Sequence, residues 1–308
     1  MIYDLIILGG GPAGVSAGVY ASRKKLKTLV ITKDMGGQST VSENIQNWIG
    51  TPSISGSDLA KSLKNHLLAF AEGVLELKEG ELIEKITEKN NLFQVKTKKN
   101  EYEGKSVLIA TGSKRRKLSV EGADKFEHKG VTYCASCDGP MFADMDLAVV
   151  GGGNAGFETA AQLLAYAKSV TLFESNSEFK ADKITVEKVL NNPKMQAFKN
   201  VELLKIEGDK FVSGLSYKDK TTGEIKNLSI SGVFVEIGAM PATDFAKEII
   251  ELNKFGQVVT DPRNQRTSKE GIWSAGDCTD GLYHQNNIAS GDAVKALEDI
   301  YIWLQKRG

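Results

Sequence analysis

The sequence has few cysteines, prolines and histidines, and it carries no excess charge of either sign. Its 308 residues include three cysteines, six prolines and three histidines, and 39 Lys and Arg balance 39 Asp and Glu. Three cysteines cannot build the disulfide framework of a small secreted protein. A net charge of zero argues against the phosphate neutralisation that nonspecific nucleic-acid binding requires, so we expect no nucleic-acid partner. The length allows two domains.

Long apolar runs are also scarce, and one stretch has the length of a membrane span. No charged residue occurs between Leu5 and Ser22. This stretch contains Pro12 and five glycines, which would break a continuous lipid-facing helix, and Asp4 precedes it where a signal peptide carries positive charge. A strand, a tight turn and a helix fit it better. We therefore expect a soluble, cytoplasmic protein with no membrane partner.

Short apolar runs alternate with amphipathic stretches along the chain. This order predicts an α/β fold with parallel sheets covered on both faces. Two other segments carry turn signals and are predicted to be antiparallel insertions, Leu82–Lys98 and Val201–Ser229. The predicted strands are Tyr3–Leu8, Thr28–Ile31, Ser106–Ile109, Leu147–Val150, Ser169–Phe173 and Gly232–Ile237, and the predicted helices include Ala13–Ser22, Asp58–Glu72, Ala155–Ala167 and Asn286–Trp303.

An internal repeat is the most informative feature of the sequence. A glycine-rich turn, G-x-G-x-x-G, follows a predicted strand at Gly9–Gly14, and a second copy follows another strand at Gly151–Gly156. In such a motif the first glycine permits a tight turn, the second lets a pyrophosphate approach the backbone, and the third lets helix and strand pack closely. One copy alone is a weak signal, because glycine turns occur in many doubly wound folds. Two copies in matching contexts predict two dinucleotide sites, one for a flavin and one for a nicotinamide.

The second copy favours NADH over NADPH. The predicted strand Ser169–Phe173 ends at Glu174, which is 174 − 156 = 18 residues after Gly156. A carboxylate at this strand end accepts hydrogen bonds from the ribose hydroxyls of the adenosine and repels a 2′-phosphate. The following residues 175–179 include no arginine that would bind such a phosphate.

The first copy lacks this ribose acid, which favours FAD there. Its strand ends at Ile31-Thr32-Lys33, and Asp34 comes too late in the sequence. Two later segments fit a flavin nucleotide. Ala110-Thr111-Gly112 ends a strand, and Gly276-Asp277 supplies a carboxylate for the ribityl chain.

Two of the three cysteines form a Cys-x-x-Cys motif. Cys134 and Cys137 are followed directly by Asp138, and this spacing suits a small redox-active disulfide with an acid–base neighbour. A zinc site would need four ligands, and only Cys278 and three scattered histidines remain to supply them, so we expect no metal. Two inert buried thiols are the other alternative. Cys278 is predicted to be a buried small hydrophobe.

These motifs together resemble the low-molecular-weight thioredoxin reductase family over essentially the whole chain. Within it, the sequence is most similar to the branch formed by the reductase portion of the alkyl hydroperoxide reductase flavoprotein, which prefers NADH. The matching segments are Gly9–Gly14, Gly36-Gly37-Gln38, Ile45-Gln46-Asn47-Trp48, Ala110-Thr111-Gly112, Cys134–Gly139, Gly151–Gly156, Phe173-Glu174, Lys180-Ala181-Asp182-Lys183, Gly276-Asp277 and Tyr283-His284-Gln285.

The resemblance implies two Rossmann-like domains, of which the FAD-binding domain is discontinuous, at 1–113 and 242–308, around an NAD(P)H-binding domain at 114–241. It assigns catalysis to Cys134, Cys137 and Asp138, with Cys137 facing the flavin and Cys134 attacking the partner. It also implies residue sets for both cofactors. FAD would contact Gly9, Gly11, Pro12, Ala13, Gly14, Gly37, Gln38, Asn47, Ala110, Thr111, Gly112, Gly276, Asp277, Tyr283, His284 and Gln285, and the nicotinamide cofactor would contact Gly151, Gly153, Asn154, Ala155, Gly156, Glu174 and Gly238.

The expected function is reduction of a thioredoxin-like or glutaredoxin-like protein by NADH, in a homodimer. His284 stands where the family usually has arginine or lysine. The chain starts directly at the first glycine-turn strand, so we expect the electron acceptor to be a separate protein. Two alternatives stay open. The same flavoprotein could take electrons from another donor such as ferredoxin, or it could be a non-catalytic flavin sensor of redox state.

Overall fold

The computed structural model describes residues 1–42 and 45–307, and the chain divides into two compact units. The first unit contains Met1–Val41, Trp48–Lys114 and Met240–Gly308, and the second contains Ser42–Asn47 and Arg115–Ala239. A parallel sheet lies at the centre of each unit. The predicted α/β fold with two Rossmann-like parallel sheets is confirmed.

In the first unit the sheet is mixed. The elements of this unit are β1 (Ile2–Gly10), α1 (Pro12–Arg23), β2 (Thr28–Met35), α2 (Gly56–Ala69), β3 (Leu75–Glu79), β4 (Ile83–Lys89), β5 (Leu92–Thr97), β6 (Glu101–Ile109), β17 (Ile272–Ser274) and α6 (Asn286–Gln305). The strand order is β3-β2-β1-β6-β5-β4, and β17 pairs with β6. The strands β3, β2, β1, β6 and β17 are parallel, while β4 and β5 form the predicted antiparallel insertion.

The central strands of this sheet are buried on both faces. Leu5, Ile6, Ile7 and Leu8 of β1 are all fully buried, which explains why β1 is a continuous apolar run rather than an alternating one. Helix α2 begins at Gly56, two residues before the predicted Asp58, because the Ser55 side chain accepts the N–H of Asp58 and caps the helix.

The second unit has one parallel sheet and a separate antiparallel sheet. Its strands are β8 (Val131–Thr132), β9 (Asp146–Val150), β10 (Ser169–Phe173), β11 (Met195–Phe198), β12 (Val201–Gly208), β13 (Val212–Asp219), β14 (Ile225–Ser229) and β15 (Gly232–Val235), and its helices are α3 (Ala135–Asp138), α4 (Asn154–Leu163) and α5 (Lys183–Leu190). The parallel sheet has the order β11-β10-β9-β15-β8, and the antiparallel sheet consists of β12, β13 and β14.

Alternate residues of β9 belong to two different cores. Leu147 and Val149 pack with Phe157 of α4, whereas Ala148 and Val150 pack with side chains of the antiparallel sheet such as Leu215. One face of this parallel sheet is therefore covered by helices and the other by the antiparallel strands. The segment predicted as an antiparallel insertion, Val201–Ser229, forms the antiparallel sheet that covers one whole face of the parallel sheet.

Two short strands, β7 (Ser113–Arg115) and β16 (Ala239–Pro241), pair with each other, and each contains one of the points at which the chain passes from one unit to the other. Over the described residues, no helix combines the length and the apolar character that a membrane span requires.

Candidate functional site

A cleft of about 820 Å³ lies in the first unit where the parallel strands end. Its lining comes from the residues that follow β1, β2, β6 and β17, which is the edge of an open α/β sheet where ligands bind. Most of the residues predicted to contact FAD lie here. They are Gly9, Gly11, Pro12, Ala13, Gly37, Gln38, Ala110, Thr111, Gly112, Gly276 and Asp277.

The glycine turn before α1 leaves room where a pyrophosphate would lie. A side chain at Gly9, whose φ is +125°, would meet the carbonyl oxygen of Ala110 at 2.1 Å, and one at Gly14 would meet that of Gly9 at 1.9 Å. These two glycines are required by packing. A Cβ at Gly11, by contrast, would have no described atom closer than 3.7 Å, so the protein itself leaves room for a side chain at this residue.

Two helices begin at this cleft without a side-chain cap from the described residues. They are α1, after Gly11, and α6, after Gln285. Uncapped N–H groups at a helix N-terminus attract phosphate and other anionic groups. Gln38 Nε2 also lies within hydrogen-bond distance of Ser113 Oγ, at 3.1 Å, and of Asp277 Oδ2, at 3.3 Å. The cleft therefore has the size, the polar groups and the exposed backbone that a flavin nucleotide needs.

Other residues predicted to contact FAD lie outside the lining of this cleft. Gly14 packs behind the turn, and Tyr283 is 71% exposed in the segment before α6. The Nε2 atom of His284 is buried without a described hydrogen-bond partner, and Gln285 precedes the first residue of α6. Asn47 belongs to the second unit.

Glu81 is a cleft residue that the sequence did not reveal. It follows β3, is 5% exposed, and accepts hydrogen bonds from the Thr97 hydroxyl at 2.6 Å, the Tyr102 hydroxyl at 2.9 Å and the Asn100 amide at 3.0 Å. Burial raises the pKa of Glu81, but these three donors outweigh it and hold the pKa below its usual value. Its backbone N–H donates to the carbonyl oxygen of Thr32, which lies near the end of β2, where the sequence has no carboxylate in position to bind a ribose. No local motif marks Glu81, because its partners are distant in sequence.

The second unit repeats the close backbone approaches of the first glycine turn. A side chain at Gly151, whose φ is +120°, would meet the carbonyl oxygen of Glu236 at 2.3 Å, and one at Gly156 would meet that of Gly151 at 1.8 Å. Gly153 has no described atom within 4 Å of a Cβ position, and it precedes α4 without a described side-chain cap. The predicted residues Asn154 and Ala155 are exposed in the first turn of α4.

Glu174 lies at the end of β10, as predicted, and it also supports the glycine turn. Its side chain is buried and accepts the backbone N–H of Gly152 at 2.7 Å. The backbone N–H and the side-chain amide of Asn176 donate to its other oxygen at 2.8 and 2.6 Å. Burial raises the pKa of Glu174, but these donors outweigh it and lower the pKa. The carboxylate is therefore ionised at neutral pH, with one oxygen still able to accept a ribose hydroxyl.

The remaining predicted residue of this group, Gly238, has a φ of +98° beyond the end of β15. Glu236, two residues before it, is marked by no sequence motif and accepts hydrogen bonds from Thr159 at 2.9 Å and from Arg115 at 3.3 Å. Burial raises the pKa of Glu236, although Arg115 and Thr159 act in the opposite direction. Glu174 follows β10 and Glu236 follows β15, and these are the two strands on either side of β9. A carboxylate thus lies on each side of the glycine turn that follows β9.

Cys134 and Cys137 form a disulfide with a Cα–Cα distance of 5.3 Å. Cys134 precedes the short helix α3, and its carbonyl oxygen accepts the N–H groups of Cys137 at 3.3 Å and of Asp138 at 3.0 Å. The Asp138 carboxylate accepts a hydrogen bond from the hydroxyl of Thr132. The structure therefore brings together the three residues to which the sequence assigned catalysis.

The disulfide and the glycine turn lie at opposite ends of α4. Gln162, near the end of this helix, accepts the hydroxyl of Ser136 at 3.1 Å, and a side chain at Gly139 would meet the Tyr166 hydroxyl at 2.0 Å. Gly153 precedes the first residue of the same helix. A helix of 10 residues is about 15 Å long, so the second unit itself keeps these two sites well apart.

Cys278 is fully buried in the first unit, where its thiol contacts Ser274 Oγ at 3.3 Å. Burial raises the pKa of this thiol. The residue thus packs as the predicted small hydrophobe. Among the described residues, no group of three or more His, Cys, Asp or Glu side chains could hold a metal ion.

Comparisons with known proteins agree with this geometry. Residues 3–293 match the model of the pyridine nucleotide-disulphide oxidoreductase family. The chain is 37% identical over 303 residues to an NADH dehydrogenase of Bacillus subtilis, covering 98% of this chain and 58% of that protein. It is 36% identical over 304 residues to one component of the alkyl hydroperoxide reductase of Escherichia coli, with coverages of 98% and 58%. The chain thus spans about three-fifths of the length of these relatives.

A solved structure is similar over its full length. Thioredoxin reductase from Streptococcus pyogenes superposes with a TM-score of 0.90 at 34% identity, and the match covers 99% of each chain.

Proposed function

The chain belongs to the pyridine nucleotide-disulphide oxidoreductase family, and we propose that it passes electrons from NADH, through FAD, to the Cys134–Cys137 disulfide and on to a small thioredoxin-like or glutaredoxin-like protein. When bound, FAD supplies a two-electron carrier between nicotinamide and disulfide. The first unit would bind FAD and the second would bind NADH.

One observation carries this proposal: the same glycine turn occurs in both units, while the disulfide lies at the far end of α4 from the second turn. A nicotinamide donates its two electrons as a hydride, which a disulfide does not accept directly but a flavin does. A second redox nucleotide in the first unit supplies the missing carrier. A single dinucleotide site with a distant structural disulfide would not explain the second turn.

The residues of the FAD cleft would bind and orient the cofactor. The N–H groups at the start of α1 would hold the pyrophosphate, which approaches Gly11 where a side chain is absent. Asp277, held by Gln38, would accept a hydroxyl of the ribityl chain. The first turn of α6 would place its positive end near the isoalloxazine, where it stabilises negative charge.

The nicotinamide site favours NADH for a physical reason. Glu174 is buried, ionised and adjacent to the turn, so a 2′-phosphate at the ribose would meet a fixed negative charge. The adjoining residues Ser175, Asn176 and Ser177 carry no positive charge that would offset the repulsion. Hydrogen bonds from the ribose hydroxyls to a carboxylate are charge-assisted and strong.

At the disulfide, the family resemblance assigns Cys137 to the flavin side and Cys134 to attack on the partner protein. Asp138 would hold or release the proton that thiol–disulfide exchange requires, because it is the carboxylate next to the pair. We also propose that the chain acts as a homodimer, which is the usual assembly in this family.

Anaerobic titration of the purified protein with NADH and with NADPH tests the proposal. We expect loss of oxidised-flavin absorbance with NADH within seconds, a slower response to NADPH, and reoxidation when an oxidised thioredoxin-like protein is added. A flavin that neither nucleotide reduces would favour a donor such as ferredoxin. A flavin that NADH reduces but no disulfide protein reoxidises would favour a redox sensor. Either result contradicts the proposed function.

A further inference from the structure

A side chain outside the Cys-x-x-Cys motif forms a hydrogen bond across the loop that carries the disulfide. Thr132 lies at the end of β8, two residues before Cys134, and is 5% exposed. Its hydroxyl donates a hydrogen bond to Oδ2 of Asp138. The backbone N–H of Asp138 also donates to the carbonyl oxygen of Cys134, at 3.0 Å. Asp138 is therefore held at its backbone by the first cysteine and at its carboxylate by the strand that leads to that cysteine.

We propose that Thr132 is the positioning residue for Asp138 during thiol–disulfide exchange at Cys134 and Cys137; this inference rests on the proposed function. Thr132 touches neither sulfur in this role, and it acts by keeping the carboxylate beside the pair. Its position on a parallel strand makes it a rigid support, because β8 is paired with β15 at Val131 and Thr132.

The exchange needs a proton carrier that returns to its starting state. The reduced pair loses two protons and two electrons as its S–S bond forms, and the partner gains two protons and two electrons as its S–S bond breaks. Asp138 accepts a proton from a thiol of the pair that ionises, and it returns a proton to a thiolate of the partner that leaves. Atoms and electrons balance without any further reactant.

A hydroxyl suits both states of such a carrier. Threonine donates a hydrogen bond to an ionised carboxylate, and by rotating about its C–O bond it accepts one from the protonated acid. A lysine or arginine at the same position would favour only the ionised form and would hinder proton uptake. The neutral hydroxyl of Thr132 therefore fixes the position of Asp138 without fixing its protonation state.

The experiment measures a single exchange with a small disulfide, which needs no protein partner. The purified holoenzyme is reduced with dithiothreitol, desalted without oxygen and mixed with dithio-bis-nitrobenzoate, and the release of the coloured thiolate is followed in time. For Asp138→Asn we expect a rate about 100-fold below wild type, since a positioned acid–base group contributes about that much. For Thr132→Val we expect a loss of about tenfold, and for Thr132→Ser a rate within about twofold of wild type.

The double variant Thr132→Val with Asp138→Asn distinguishes positioning from a general structural effect. If Thr132 acts through Asp138, the double variant reacts at the rate of Asp138→Asn alone. Thr171→Val is the matched control, because Thr171 is equally buried, at 5% exposure, in β10 of the same sheet. It should react at the wild-type rate. Bound FAD and the melting temperature are measured for every variant, and Thr132→Ala replaces Thr132→Val if the latter does not fold.

Two results overturn the inference: a Thr132 variant that retains the wild-type exchange rate, or a double variant slowed by the product of the two single effects. These results differ from failure of the proposed function. If the wild-type dithiol reacts with the small disulfide but with no thioredoxin-like protein, the proposed function fails while the comparison of Thr132 variants still decides this inference. If the reduced wild-type protein reacts with neither, both are overturned.

Discussion

The carboxylate of Glu174 accepts the backbone N–H of Gly152 at 2.7 Å, which joins the end of β10 to the glycine turn before α4. The carbonyl oxygen of Gly152 accepts the N–H groups of Lys180 at 2.9 Å and Ala181 at 3.2 Å. The N–H and the carbonyl oxygen of Gly152, in the middle of the turn, are thus both hydrogen-bonded. A residue expected to select the nucleotide therefore also shapes the site that would bind its pyrophosphate.

Replacing Glu174 by glutamine should weaken NADH binding by about tenfold, because an amide nitrogen cannot accept the donors that face this position and one charge-assisted hydrogen bond is lost. Binding is measured with NAD⁺, which has the same adenosine ribose and cannot reduce the flavin, by quenching of protein fluorescence in the oxidised enzyme. Glu178→Gln, an exposed carboxylate four residues further on, is the control and should bind NADH normally. Equal affinities for all three proteins would remove Glu174 from the nucleotide site.

Alanine substitutions at Gly11 and Gly153 should affect the two nucleotides differently, the first weakening FAD binding and the second weakening NADH binding. Their φ angles of −79° and −88° suit alanine, and no described atom lies within 3.4 Å of either Cβ, so the fold should be retained. The new methyl group would occupy the space that a pyrophosphate needs. We expect Gly11→Ala to be purified with little FAD, and Gly153→Ala to keep FAD but to be reduced by NADH more than about tenfold more slowly.

Gly291→Ala serves as the control for both substitutions, because its Cβ would meet no described atom within 4 Å and the residue lies in α6 beyond the first turn. It should retain FAD and its normal reduction rate. Full FAD content in Gly11→Ala, measured by absorbance after denaturation, would contradict the assignment of the first unit to the flavin.

The two cysteines should have separable roles. Cys137→Ser should abolish reduction of protein disulfides while FAD stays bound and reducible, since the FAD cleft is lined by other residues. Cys134→Ser should be equally inactive but should leave a thiolate able to give a charge-transfer absorbance with the oxidised flavin. Cys278→Ala, which changes the buried third cysteine, should keep both activity and the dithiol. A charge-transfer band in Cys137→Ser instead would exchange the two assignments.

Glu81 should contribute to stability in a pH-dependent way. Its pKa is lowered in the folded protein, because the donors Thr97, Tyr102 and Asn100 outweigh the effect of burial. A lowered folded-state pKa stabilises the fold above the unfolded value of about 4.3, and this contribution is lost as the pH falls through the folded-state pKa. We expect Glu81→Gln to lower the free energy of unfolding by about 1–3 kcal/mol at neutral pH, and by less in acid.

Urea unfolding of wild type and Glu81→Gln at several pH values measures this effect, with Glu84→Gln, an exposed neighbour, as the control. A constant difference between wild type and Glu81→Gln down to pH of about 3 would show that the charge of Glu81 is not the cause.

Local sequence signals predicted the glycine turns, the Cys-x-x-Cys pair and the acid at Glu174, because each depends on residues close together in the chain. The sequence also predicted the alternation of strands and helices, since buried parallel strands such as β1 are continuous apolar runs. It did not predict the antiparallel sheet as the second covering layer of the second unit, because facing sheets depend on long-range packing. Glu81 was missed for the same reason, since its donors Thr97, Asn100 and Tyr102 are 16, 19 and 21 residues away. Thr132 is close to Asp138 in sequence, but no motif marks the pair, because their contact depends on how the chain turns between β8 and α3.

Trapping of thiols after reduction by NADH shows directly whether electrons pass from NADH to Cys134 and Cys137. The purified protein is mixed anaerobically with a slight excess of NADH, treated with a maleimide and digested, and the labelled cysteines are identified by mass spectrometry. We expect label on Cys134 and Cys137 with NADH and on neither without it, while the buried Cys278 stays unlabelled in the folded protein. A flavin that NADH reduces while Cys134 and Cys137 remain an unlabelled disulfide would contradict the claim that electrons pass from NADH to this pair.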